Sequence, residues 1–119
     1  MAITEFGKAV RKARIDANNV TLASMAAELQ TTPSFLSAIE MGRKKIPADL
    51  VGKVEAFFAR HGVAIPDLRV RADVSNKAVP LDGLSPAQQM LVAGFARVNL
   101  DEAELAKFTE LLAVKKGTR

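Results

Sequence analysis

The stretch "TLASMAAELQTTPSFLSAIEMGRKKIP", Thr21 to Pro47, holds two short helical patterns with a brief interruption between them. Thr21 suits an N-cap, and Leu22, Met25, Ala26 and Leu29 recur behind it at the spacing of one helix face. Thr32 repeats the capping signal. Pro33 follows at the first helical position, where its missing N–H has no intrahelical partner in any case. Leu36 and Ile39 then share a face, and Gly42 suits a left-handed helix end. Two short helices joined by about three residues cannot lie in line and must cross, which is the helix-turn-helix unit.

Working outward, Phe6, Val10 and Ala13 predict a helix over residues 4–17, with Lys8, Arg11, Lys12 and Arg14 on its other faces. A closing helix is expected from Ala48 to His61, where Leu50, Val51, Val54, Phe57 and Phe58 form a broad apolar stripe and Gly62 ends it. In "PDLRVRADV" the apolar Leu68, Val70, Ala72 and Val74 alternate with Arg69, Arg71 and Asp73, which is strand periodicity. A lone strand leaves its backbone groups unpaired, so this segment either pairs with its equivalent in a second copy or runs as an extended linker. "SNKAVPLDG" reads as loop. Ser85, Pro86 and Gln88 then open a helix bearing Leu91, Phe95 and Val98. Asp101 and Glu104 repeat the capping arrangement before Leu105, Phe108, Leu111 and Leu112. The expected architecture is all-α: a four- to five-helix domain over residues 1–65, then over residues 66–119 a short strand or extended segment and a C-terminal αα-hairpin. Two amphipathic helices bury little alone and need either the first domain or a second copy of themselves. Leu68, Val70, Val74, Leu91, Phe95, Leu105, Phe108 and Leu112 are expected to hold a dimer together.

The 119 residues are about half apolar and a quarter charged, enough for a modest core. Cysteine is absent and His61 is the one histidine, which excludes disulfides, zinc-finger spacing and Cys/His nucleophile pairs. No metal or other cofactor is expected. His61 reads as a helix-end residue, and Asp101, Glu102 and Glu104 as helix-start carboxylates. With no glycine-rich phosphate loop either, an enzyme is not expected. The N-terminus lacks a signal-peptide layout and no apolar run is long enough to cross a bilayer, so a cytoplasmic protein without membrane contact is expected. The net charge of +4 is unevenly placed. Residues 1–72 carry 11 Lys/Arg against 7 Asp/Glu, whereas residues 73–119 carry 6 of each. A basic first part points to a polyanionic partner.

The Thr21–Pro47 stretch resembles the lambda repressor and Cro type of helix-turn-helix, the Xre family of bacterial and phage regulators. The likeness covers roughly residues 4–62. It rests on Ala26 in a tight helix contact, the Thr-Pro-Ser opening at residues 32–34, "FLSAIEMG", and Pro47 before the closing helix. It implies that the second helix of the motif enters the major groove of duplex DNA, with Thr32, Pro33, Ser34, Ser37 and Ala38 facing base edges. It also implies phosphate contacts at Thr21, Leu22 and Ala23 and at Arg43, Lys44 and Lys45, and a structural pairing of Arg14 with Glu40. Several positions depart from the family pattern. Base-facing Ser, Thr, Pro and Ala replace side chains that make bidentate bonds, so direct readout is thin and DNA shape carries part of the specificity. Leu22 stands where a polar residue is common, and Gln30 replaces the usual turn glycine.

The resemblance and the charge distribution together imply a sequence-specific transcriptional regulator, a dimeric repressor or autoregulator reading the major groove with residues 33–41. The alternative is an antitoxin-type interaction protein whose C-terminal hairpin binds a partner protein.

Overall fold

The computed structural model describes residues 2–116, and these residues form helices and loops with no strand. The helices are α1 (Glu5–Asp16), α2 (Leu22–Glu28), α3 (Pro33–Glu40), α4 (Ala48–Arg60), α5 (Leu68–Asn76), α6 (Pro86–Arg97) and α7 (Glu102–Lys116). Side-chain caps set most of their starts. Thr4, Thr21, Thr32 and Ser85 each accept the N–H of the residue three places on, at 3.0 to 3.1 Å. At α7 the cap is reciprocal: Glu104 N–H donates to Asp101 Oδ1 at 2.8 Å and Asp101 N–H donates to Glu104 Oε1 at 3.1 Å.

The chain divides into two units, one ending at Pro80 and the other beginning at Leu81. The first contains α1 to α5 around a core of Phe6, Val10, Met25, Ala26, Leu36, Ile39, Val51, Val54, Phe57 and Phe58. Phe57 and Phe58 meet edge to face with centroids 4.9 Å apart, a favourable arrangement of two ring quadrupoles. The second unit contains α6 and α7, where Phe95 and Phe108 make a similar contact at 5.1 Å.

The segment expected as a strand or linker is a helix. In α5, Leu68 and Ala72 are buried at a spacing of four, whereas Val70 and Val74 are more than half exposed. The alternating pattern contains this i, i+4 pair, and a helix satisfies its backbone groups internally, as a solitary strand cannot. Helix α5 packs on α1 and α4 and belongs to the first unit, which therefore runs 15 residues past the expected boundary at residue 65. Phe6 N–H donates to Ser75 Oγ at 3.0 Å, and Arg71 reaches Glu5 at 3.2 Å. Leu68, expected at a dimer contact, is instead 1% exposed in the first unit's own core.

One residue ties α1 to the end of α3. Glu40 is 3% exposed, and its carboxylate accepts from Arg14 and, at 3.2 Å, from Arg11 Nε. The Arg14–Glu40 pair is the one implied by the family likeness; Arg11 joins it from the adjacent turn. The Glu40 carbonyl accepts both the N–H and the hydroxyl of Thr4, at 3.1 and 2.9 Å. Helix α1 can come this close because residue 7 is glycine; a Cβ there would collide with the Glu40 carbonyl oxygen.

Two substitutions test this junction by urea unfolding of the full chain. Glu40→Gln removes the charge that compensates the largely buried Arg14 and is expected to cost about 3 kcal/mol. Gly7→Ala forces α1 away from α3 and is expected to cost roughly 2 kcal/mol, in the range of other overpacking changes.

Candidate functional site

The residues singled out in the sequence lie on α2, α3 and the loop that follows them. Helix α2 ends at Leu29, and Gln30 turns the chain with φ 59°. Its N–H donates to Ala27 C=O at 3.2 Å and Thr31 N–H donates to Ala26 C=O at 2.9 Å, which completes a Schellman ending. Thr32 resumes extended backbone and caps α3. The same ending closes α3: Gly42, φ 77°, donates to Ile39 C=O at 3.1 Å and Arg43 N–H donates to Ala38 C=O at 2.8 Å. The direction in which the chain leaves α3, and so the start of "RKK", is set by these two bonds.

Thr32, Pro33 and Ser34 are exposed at the start of α3, and Ser37 is half-buried one turn on. Ala38 is 7% exposed and turned inward, so it does not offer its methyl at the surface as expected. It lies about 100° round the helix from Ile39 and about 200° from Leu36, and it is not part of the core cluster that those two residues join. Thr21 and Ala23 are exposed, while Leu22 is half-buried against the core, which accounts for an apolar residue at that position. Phe35 is half-buried too and packs against the core.

Arg43, Lys44 and Lys45 are all exposed. Their charge environment separates them from the other cations of the first unit. Lys8, Arg11, Lys12, Arg14, Lys53, Arg60, Arg69 and Arg71 each form an ion pair with a carboxylate. Among the described residues of that unit, the cations outside these pairs are Arg43, Lys44, Lys45 and Lys77. The eight paired cations share six carboxylates, Glu5 and Glu40 each taking two, whereas three of the four cations outside these pairs are consecutive in one loop.

That loop has no regular structure of its own and is held by a residue the sequence did not single out. Ile46 is buried, and its N–H donates to Asn76 Oδ1 at 2.8 Å while its C=O accepts from Asn76 Nδ2 at 3.1 Å. Lys45 Nζ donates to the Asn76 carbonyl at 3.2 Å. Nothing in the sequence signalled this contact, because it joins positions 30 and 31 residues apart through a segment read as loop.

The second unit presents a different surface. Helix α6 has no buried residue, and Met90, Leu91, Phe95, Val98, Leu105, Phe108, Leu111, Leu112 and Val114 are each more than two-fifths exposed. Among the described residues no group of three His, Cys, Asp or Glu side chains could hold a metal ion, and no helix is long and apolar enough to cross a membrane.

Comparison of the chain with protein-family profiles, with curated proteins and with solved structures finds no match.

The left-handed Gln30 yields a prediction about the turn. A side chain at positive φ costs energy that glycine avoids, partly offset by glycine's greater freedom when unfolded. Gln30→Gly is expected to raise the unfolding free energy by about 0.5–1 kcal/mol in a denaturant titration.

Proposed function

We propose that this chain is a DNA-binding transcriptional regulator of the lambda repressor and Cro helix-turn-helix type, acting as a homodimer in the cytoplasm as a repressor or autoregulator. The observation that carries this reading is the placement of the cations without carboxylate partners. Arg43, Lys44 and Lys45 stand immediately after a short capped helix whose exposed first turn is Thr32, Pro33 and Ser34. Phosphates of duplex DNA supply the countercharge that the protein withholds there.

In this reading α3 enters the major groove with Thr32, Pro33, Ser34 and Ser37 toward the base edges. Small side chains let the helix approach closely, with the Thr32 methyl available to a thymine methyl. Few of these groups can make bidentate bonds, so each half-site discriminates weakly and two copies on an inverted repeat multiply the selection. The buried Ala38 leaves α3 still fewer base contacts and increases the share assigned to DNA shape. Thr21 and Ala23, exposed at the start of α2, are available to the sugar-phosphate backbone.

The dimer contact is assigned to the second unit. Its large side chains have little to cover them within one chain, and two hairpins placed face to face form a four-helix arrangement that buries Leu91, Phe95, Leu105, Phe108 and Leu112. The same surface supports a second reading, an antitoxin-type protein that grips a different chain through α6 and α7.

Three measurements test these assignments. Selection from a random duplex library followed by sequencing is expected to enrich an inverted repeat with half-sites about one helical turn apart. A bound pool with no shared motif would show that sequence-specific recognition is absent. Replacing Lys44 and Lys45 together with Ala is expected to weaken binding to every duplex and to flatten the plot of log affinity against log salt by roughly one to two units. An unchanged slope would place the loop away from the phosphates. Light scattering at micromolar concentration is expected to give a dimer for the full chain and a monomer after deletion of residues 81–119. A monomeric full chain that binds a co-purifying protein would favour the second reading.

A further inference from the structure

Asn76 lies at the end of α5, outside the helix-turn-helix segment, yet it meets the loop that follows α3, and Lys77 is the next residue along the chain. We propose that Lys77 is a further phosphate-binding residue, joined with Arg43, Lys44 and Lys45 in one polyanion-binding surface, and that Asn76 is the positioning residue that holds this surface together. The inference rests on the DNA-binding reading and extends the protein's footprint beyond the motif that suggested it.

Asn76 makes three hydrogen bonds to the loop and uses a different atom for each. Its Oδ1 and Nδ2 pair with the backbone N–H and C=O of Ile46, and its own carbonyl accepts from Lys45 Nζ. The side chain thereby pairs with Ile46 much as a neighbouring backbone would. Ile46 is 5% exposed, so the loop is anchored through its side chain in the core and through its backbone on Asn76. A loop held at both points presents its cations without first being ordered, which lowers the cost of binding.

The partner chosen for Lys45 is also informative. The Asn76 carbonyl belongs to the last turn of α5, where carbonyl groups attract a cation and orient it while leaving its formal charge uncompensated. Eight other cations of the unit have a carboxylate in this role. Lys77 follows directly, exposed and without a carboxylate partner among the described residues. It occupies the left-handed position that ends α5, with φ 56°, where α3 and α4 are followed by Gly42 and Gly62 at φ 77° and 74°. A lysine at that position adds a fourth positive charge directly after the residue that holds the loop, where glycine would be the easier residue. Adjacent like charges without countercharge repel, and a run of phosphates relieves that repulsion.

The test measures affinity of the full chain for a mixed-sequence DNA duplex as a function of salt, beside its thermal midpoint. Lys77→Ala and Lys77→Gly are expected to lower the salt slope by about 0.9 and the affinity at 0.15 M salt by roughly fivefold, as for loss of one phosphate contact. Lys77→Gly separates charge from folding, because glycine suits the left-handed position: its midpoint should rise while its affinity falls. Asn76→Ala is expected to reduce the slope although Lys44, Lys45 and Lys77 are all present, at a temperature where the protein is folded. A residue with only a structural role would lower the midpoint and leave the slope alone. Lys53→Ala, which removes an exposed cation paired with Asp49, serves as the control and should leave the slope unchanged. If the Lys44 and Lys45 variant loses slope while both Lys77 variants retain it, the surface ends at the loop and this proposal fails with the DNA-binding reading intact. If the unaltered chain shows no salt-dependent binding to duplex DNA, the DNA-binding reading fails and this proposal fails with it.

Discussion

Glu40 is the constraint on which the first unit depends. Its carboxylate is buried between two arginines of α1, and its carbonyl takes two hydrogen bonds from Thr4, so both ends of one residue are committed to the same neighbouring helix. A buried carboxylate is tolerable only with such compensation, and the compensation fixes the relative placement of α1 and α3. The net gain in stability from a buried ion cluster is small compared with hydrophobic packing. Its directional demand is greater, because a slip of either helix leaves a charge unpaired in the interior. Gly7 makes the close approach sterically possible, and the Schellman ending at Gly42 turns the chain outward immediately afterwards.

From that junction the loop of residues 43–47 is held twice more, by the buried Ile46 side chain and by Asn76 on its backbone. Rigidity and uncompensated charge therefore occur together. Elsewhere in the first unit the arginines and lysines are matched with carboxylates, an arrangement whose individual pairs contribute little to stability at exposed positions. Its collective effect is electrostatic. The pairing lowers the net charge over the rest of the unit and leaves Arg43, Lys44, Lys45 and Lys77 without a carboxylate beside them among the described residues. In the proposed complex the protein's field and its recognition helix would then favour the same docking orientation.

The second unit rests on a different balance. Two helices of 12 and 15 residues share one aromatic contact and leave most of their large apolar side chains exposed. Such a hairpin has little internal burial, and in the proposed dimer a second copy would supply the cover. The first unit, by contrast, has a complete core of its own.

Local chemistry made much of this protein readable from its residues alone. The caps at Thr21, Thr32 and Ser85, the reciprocal pair Asp101 and Glu104, and the glycines at positions 42 and 62 mark helix ends through short-range bonds, and the structure places those ends accordingly. The apolar stripes of α1 and α4 were equally plain, because a 3.6-residue period needs only the sequence to be seen. Tertiary structure alone decided the rest. "LRVRADV" satisfies both the strand period and an i, i+4 pairing, and it becomes helix α5 because α1 and α4 offer a surface for Leu68 and Ala72 and because a solitary strand would have unpaired backbone groups. Ala38 was assigned to the surface from its place in a motif, but it is 7% exposed in the folded unit. The pairing of Asn76 with Ile46 and Lys45 depends on bringing together residues about 30 positions apart, and no periodicity or local motif encodes a contact of that kind.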